Sequence, residues 1–175
     1  MQRGNTIKMV LSALFLASGI LLPVLFHAVG WSGAIFLPMH IPVILCGFIC
    51  GAGWGGIVGA FVVFLSSAIT GMPILYPVAV YMACELATYG IVCGLLRYIS
   101  NSIIVLIVAM IAGRLILGIV QFLLLSIGGQ SFVFKTFVTG AFVTALPGII
   151  IQIIVIPILM FSLRKTRLIP IGEKQ

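Results

Sequence analysis

The hydrophobic positions of this chain fall in long continuous runs that are separated by short segments rich in Gly, Ser and Pro. Strands of a membrane barrel alternate apolar and polar residues with period two, whereas a helical span needs about 20 mostly apolar residues. There are six runs of the second kind. The pattern therefore predicts an all-α membrane protein with six transmembrane helices, folded as a single domain over residues 1–175 with a basic tail from about residue 164.

The boundaries of the six spans follow from the loops between them. We predict helices over residues 6–26, 37–50, 54–69, 75–97, 102–127 and 134–163. Three small-residue pairs, spaced four apart, let helix backbones approach closely. They are Gly47/Gly51, Gly55/Gly59 and Gly90/Gly94. We expect these glycines to serve packing within the chain.

The basic residues sit at the ends of the apolar runs, and they set the expected orientation. With a cytoplasmic N-terminus, the inner side carries seven basic residues and the outer side carries only Lys135. The inner residues are Arg3, Lys8, Arg97, Arg164, Lys165, Arg167 and Lys174. The positive-inside rule then places both termini in the cytoplasm, which requires an even number of spans.

Composition narrows the function classes. The chain is 63% hydrophobic and only 6% charged, against about 25% charged residues in soluble domains. Its net charge of +7 is explained by the topology charges, so a nucleic-acid partner is not expected. The cysteines all fall within apolar runs and are expected to pack as small hydrophobes without a metal or other cofactor. They are Cys46, Cys50, Cys84 and Cys93.

Ionisable residues at membrane depth are costly, which makes them candidates for function. Counting along the helices places Glu85 and Arg114 at comparable depth, where they could pair. Gln121 lies two turns nearer the outside, and Gln152 is a further buried polar residue. The Glu85–Arg114 pair could lock two helices together, or one or both residues could face a ligand cavity that opens outward. Both readings remain open from the sequence.

Other polar and aromatic residues are expected on the outer side. His40 stands between Pro38 and Pro42, which distort the start of the second span near the outer surface, so His40 either lines a cavity or packs. Trp31, in the first outer loop, could stack on a ligand. Tyr81 and Thr144 are also expected to face the ligand, although some outer aromatics must belong to the interfacial belt.

Catalytic motifs are missing from the sequence. It contains no Gly-x-x-x-x-Gly-Lys-Ser/Thr run for nucleotide phosphates and no His-Glu-x-x-His metal motif, and it has no Asp at all. We therefore do not expect an enzyme, nor an ATPase site within the chain.

Several stretches resemble the S components, the substrate-binding membrane subunits, of energy-coupling factor (ECF) vitamin transporters. The likeness runs from about the first to the sixth span. It is carried by LPMHIPVILCGF at 37–48, LSSAITGMP at 65–73, ELATYG at 85–90, AGR at 112–114 and TALPGII at 144–150. The resemblance implies a multi-pass protein of a bacterial plasma membrane that binds a vitamin-like molecule from outside.

The resemblance also implies partners. S components deliver their cargo through a membrane-embedded coupling (T) subunit that works with two cytosolic ATPases. Many members contact the T subunit through an Ala-x-x-x-Ala pattern on the first helix, which Ala13 and Ala17 match here.

The cargo stays open at this stage. Candidates are pantothenate, a pyridoxine-type vitamin, niacin or a cobalamin precursor. A free Arg114 would suit a carboxylate, whereas an Arg114 neutralised by Glu85 would favour an uncharged, hydrogen-bonding cargo. The competing functions are a self-sufficient small-solute carrier or channel, which the lack of inverted repeats disfavours, and a structural membrane subunit.

Overall fold

The computed structural model describes residues 2–30, 33–99, 101–129 and 131–165. Eight α-helices are formed in these ranges: α1 (Gln2–Ala28), α2 (Gly33–Phe36), α3 (His40–Cys50), α4 (Ala52–Thr70), α5 (Val80–Leu95), α6 (Ser102–Ile127), α7 (Phe134–Val138) and α8 (Leu146–Lys165). Two π-helical segments, Leu75–Ala79 and Thr139–Thr144, lead into α5 and follow α7. No strand occurs in the described ranges, which confirms the all-α class.

Five stretches are long and apolar enough to cross a membrane. They are Asn5–Ala28, Ala52–Thr70, Leu75–Leu95, Ser102–Ile127 and Leu146–Leu163. The sixth predicted span corresponds to α3, which has only 11 residues and is about 16 Å long. A helix of that length covers about half of a hydrocarbon core of roughly 30 Å. The multi-pass architecture is thus supported by five spans, while a sixth crossing and cytoplasmic termini stay predictions.

The stretch predicted as one helix over residues 134–163 is divided in the structure. Helix α7 passes into the π-helical segment Thr139–Thr144, and α8 begins at Leu146. Pro147 stands in the first turn of α8, where its missing N–H leaves no intrahelical bond unmade. The hydrophobicity of the sequence does not reveal this division, because an apolar run has the same pattern in an α-helical and in a π-helical segment.

Glycines join α3, α4 and α5 into one closely packed unit. A Cβ on Gly90 of α5 would overlap the backbone of Gly55 on α4, and a Cβ on Gly47 of α3 would meet the Gly90 carbonyl oxygen. Similarly, Gly94 lies against the backbone of Gly51 and Ala52. The small-residue pairs therefore pack within the chain, as the sequence predicts. Their effect is to hold α5 rigidly in the centre of the molecule.

The other spans surround this unit less tightly. Helix α6 packs along α5, and α1 lies against α3 and α4. In α1, Ser12 and Gly19 are buried, while most of the remaining residues of its apolar stretch are exposed. Helix α8 contacts α2, α3 and α6, and its exposed side carries large apolar residues such as Ile154 and Phe161. Such surfaces suit contact with lipid or with another membrane protein.

Candidate functional site

A cluster of polar side chains lies at the centre of the helix assembly. Arg114 of α6 places Nη1 2.7 Å from Oε1 of Glu85 on α5. The Tyr89 hydroxyl donates a hydrogen bond of 3.0 Å to the same carboxylate oxygen. Glu85 is 2% exposed and Arg114 is 7% exposed. The predicted pairing of Glu85 with Arg114 is therefore confirmed as a buried, hydrogen-bonded ion pair.

The helix spacing explains why Tyr89 joins the pair. Tyr89 stands four residues after Glu85, so both side chains lie on the same face of α5. Its ring lies close to Gly113, the neighbour of Arg114, where a Cβ would come 2.9 Å from the ring. Tyr89 is not among the ligand residues expected from the sequence. The interval of four from a buried carboxylate is the signal that could have identified it.

His40 joins the cluster from α3. It is the first residue of that helix, ten residues before Cys50, which places it about 15 Å from the other end of the helix. Its ring packs edge-on against Tyr89 with centroids 5.3 Å apart, and Nε2 is 3.8 Å from Glu85 Oε1. The start of α3 thus brings His40 to Glu85 and Tyr89, and its expected position near the outer surface stays a prediction.

A cavity of about 220 Å³ adjoins the cluster between α5, α6 and α8. Three polar residues, Tyr89, Arg114 and Gln152, contribute to its wall. The rest of the wall is apolar and consists of Leu37, Ile107, Met110, Ile111, Phe142, Ile149 and Ile153. This surface combines an apolar interior with a few polar groups, which is the usual character of a small-molecule site.

Two donors on this wall are left without partners. Arg114 Nη2 and Gln152 Nε2 are buried, and neither has a hydrogen-bond partner in the described part of the chain. Both ring nitrogens of His40 are in the same state. Buried polar groups in folded proteins are nearly always hydrogen-bonded. Arg114 and Gln152, which both line the cavity, therefore each keep one buried donor that the described part of the chain does not satisfy.

Gln121 belongs to a different cavity. It lines a space of about 130 Å³ near the C-terminal end of α6. The other lining residues are Leu125, Ser131, Phe132, Val133, Thr136 and Phe137. The structure thus separates Gln121 from the Glu85–Arg114 pair, seven residues away along the same helix.

The remaining predicted ligand residues do not join the central cluster. Tyr81 is half-buried one turn before Glu85, and it lines neither of the two cavities. Thr144 is exposed at the end of the second π-helical segment. Trp31 lies outside the described residues. Gln152, noted from the sequence only as a buried polar residue, lines the same cavity as Arg114.

The predicted partner-binding residues lie on the surface. Ala13 and Ala17 are both exposed on α1. On the opposite side of the same helix, Ser12 accepts a hydrogen bond from the Cys46 thiol over 3.6 Å. Helix α1 therefore has an inner polar contact and an outer small-residue face that no described helix covers.

Comparison with known proteins identifies one family. The family model described as "ECF transporter, substrate-specific component" matches residues 7–160. No curated protein and no solved structure matches the chain. The matched range includes α1 through most of α8, and with them the ion pair, Gln152 and the central cavity.

Proposed function

The chain belongs to the family of ECF transporter substrate-specific components, and we propose that it takes up a water-soluble vitamin or vitamin precursor through the cavity beside Glu85 and Arg114. The membership itself makes it a substrate-binding transport subunit that acts in a membrane complex with a T subunit and ATPases, and not an ATPase. The identity of the cargo and the residues that hold it are the proposed part.

The observation that carries this proposal is the pair of unfilled donors on one cavity wall. Arg114 Nη2 and Gln152 Nε2 are buried without partners, and both residues line the same cavity of about 220 Å³. Leaving buried donors unmade costs roughly 1–3 kcal/mol each. A cargo that supplies an acceptor recovers this free energy, so the site has a physical reason to hold a polar small molecule.

The transport step requires partners, since a binding subunit alone cannot concentrate its cargo. We propose that the exposed Ala13/Ala17 face of α1 contacts the T subunit, and that two cytosolic ATPases provide the energy. Cargo enters from outside in this scheme and leaves on the cytoplasmic side. The candidate cargoes remain pantothenate, a pyridoxine-type vitamin, niacin and a cobalamin precursor.

Retained cargo provides the direct test. The protein is purified in mild detergent without its partners, and bound small molecules are released and identified by mass spectrometry. We expect a vitamin or precursor bound in about equal molar amount without ATP. A protein that binds no water-soluble vitamin in calorimetry, in spite of correct folding, would contradict the proposal.

A self-sufficient carrier is the competing function. It predicts cargo flux into proteoliposomes that contain this chain alone. The proposed function predicts binding but no net uptake in those vesicles, and uptake only when the T subunit and the ATPases are added with ATP. The two outcomes are distinguishable in one preparation.

A further inference from the structure

The charges around the central cavity balance one another. Glu85 and Arg114 are the acidic and the basic residue of this cluster, and they are joined over 2.7 Å. The same Glu85 carboxylate oxygen also accepts a hydrogen bond from the Tyr89 hydroxyl. His40 Nε2 is 3.8 Å from that oxygen, which is beyond hydrogen-bond distance. The formal positive charge of Arg114 is thus already matched by the formal negative charge of Glu85.

A negatively charged cargo would disturb this balance. Its carboxylate could reach Arg114 only in the immediate neighbourhood of Glu85, and the pair has one positive charge for two negative ones. An uncompensated charge in a buried site is strongly unfavourable. A neutral acceptor meets no such cost, because it can use Arg114 Nη2 while Nη1 stays on Glu85.

The unfilled donors define what the neutral cargo must present. Arg114 Nη2 and Gln152 Nε2 are both donors, so their partner must be an acceptor such as a carbonyl oxygen. The cavity volume of about 220 Å³ is below the roughly 300–1,000 Å³ of pockets that hold drug-sized ligands. It therefore suits a small molecule rather than a drug-sized one.

We propose that the cargo is an uncharged small molecule that presents hydrogen-bond acceptors to Arg114 Nη2 and Gln152 Nε2. This inference rests on the proposed function, because it specifies the cargo of that same cavity. It assigns discrimination against anions to Glu85, whose charge occupies Arg114. In this scheme Arg114 acts as a hydrogen-bond donor to the cargo and not as a free cation.

Matched pairs of neutral and anionic probes test the proposal on the unaltered protein. The pairs are nicotinamide with nicotinate, panthenol with pantothenate, and pyridoxine with 4-pyridoxate. Each is titrated calorimetrically into the full chain in lipid nanodiscs. We expect the neutral member of any binding pair to bind tighter by a factor on the order of 100, the scale set by an uncompensated buried charge.

The outcomes separate this inference from the proposed function. An anionic member that binds as tightly as its neutral partner, or tighter, would overturn the charge rule and leave the transport role standing. Complete absence of binding across all pairs and in a wider vitamin screen would overturn both. Tighter binding of the neutral member supports both.

The variant Glu85→Gln gives a second measurement. It keeps an acceptor oxygen beside Arg114 but removes the negative charge, so the neutral-to-anion affinity ratio should fall by about tenfold or more. Arg97 lies near Gly51 and does not line the cavity. The control variant Arg97→Gln also removes a charge, and it should keep the original neutral-to-anion affinity ratio. A folded Glu85→Gln protein with an unchanged ratio would overturn the proposal. If that variant fails to fold, the probe pairs on the unaltered chain decide.

Discussion

Arg114 Nη1 and Glu85 Oε1 lie 2.7 Å apart between α6 and α5, with both side chains buried. The pairing matters because a single buried charge without a partner is costly. The ion pair uses Arg114 Nη1 and leaves Nη2 without a hydrogen-bond partner in the described part of the chain. One contact thus joins two helices and sets the electrostatic character of the cavity beside them.

Removing one member of this pair should destabilise the fold. Arg114→Met leaves the Glu85 carboxylate buried with only the Tyr89 hydroxyl as a described donor, at a cost of about 3–5 kcal/mol. The double variant Glu85→Gln/Arg114→Met should recover most of that loss. Thermal unfolding in detergent measures the three proteins beside Arg97→Met as a charge-removal control. A double variant no more stable than Arg114→Met would show that the two charges are not coupled.

Removing the second donor should weaken cargo binding without a large change in folding. Gln152→Leu deletes one hydrogen bond to the cargo, worth about 1 kcal/mol, or roughly a fivefold loss of affinity. Calorimetry with the identified cargo measures the change. Ser162→Ala, an exposed polar replacement on the same helix, is the control. Equal affinities for the original protein and Gln152→Leu would place the cargo away from α8.

Filling the cavity should exclude the cargo directly. Ile153→Phe enlarges a residue of the cavity wall. The larger side chain should clash with the cargo, so we expect the affinity to fall by about tenfold or more. Ile154→Phe makes the same change one residue further on, where the side chain is exposed, and should bind normally. Binding assays with both variants at matched protein quality make the comparison, and identical affinities would argue against this cavity as the site.

The glycine contacts predict a sharp difference between two similar substitutions. Gly90→Ala places a methyl group into the backbone of Gly55 and should cost about 1–3 kcal/mol through overpacking. Gly53→Ala meets no atom within 4 Å and should be neutral, or stabilising by up to about 1 kcal/mol through helix propensity. Thermal unfolding of the two variants tests the contrast. A Gly90→Ala protein as stable as Gly53→Ala would show that α4 and α5 can separate without loss.

Substitutions on the exposed face of α1 should impair transport without impairing cargo binding. Enlarging both Ala13 and Ala17 to Leu should block close approach of the T subunit and abolish ATP-driven uptake in vesicles containing all subunits. Cargo affinity of the isolated protein should not change, since both residues are exposed on α1. Ala68→Leu, an exposed alanine of α4, serves as the matched control. Normal uptake by the Ala13/Ala17 variant would place the partner elsewhere.

The sequence predicted those features for which only a few residues could meet a physical requirement, such as the need of a buried charge for an opposite charge. Glu85 and Arg114 are the acidic and basic residues expected at middle depth, and a buried charge needs an opposite one, so their pairing could be predicted. The long apolar runs likewise identified most of the spans. The glycine pairs could be assigned to internal packing because backbone approach is the common use of such residues in membranes.

Other features depend on three-dimensional paths that hydrophobicity does not encode. The contacts of His40 with Tyr89 and Glu85 depend on where α3 begins, which the apolar run through residues 37–50 does not reveal. Gln152 could not be assigned to a face, because α8 carries apolar residues on nearly every side. Gln121 lies on the same helix as Arg114, yet it is seven residues further along and lines a separate cavity.

The central cavity also has a consequence for how occupancy can be observed. Its walls come from α5 and α6 on one side and from α8 on the other, so a bound molecule completes van der Waals contacts that the helices leave open. Cargo then acts as a detachable part of the core, joining α8 to the glycine-packed centre. At a concentration 100 times its dissociation constant, it would add about 2.7 kcal/mol to the free energy of unfolding. A rise in the thermal unfolding temperature of the isolated protein therefore reports that the site is filled, without any transport partner in the sample.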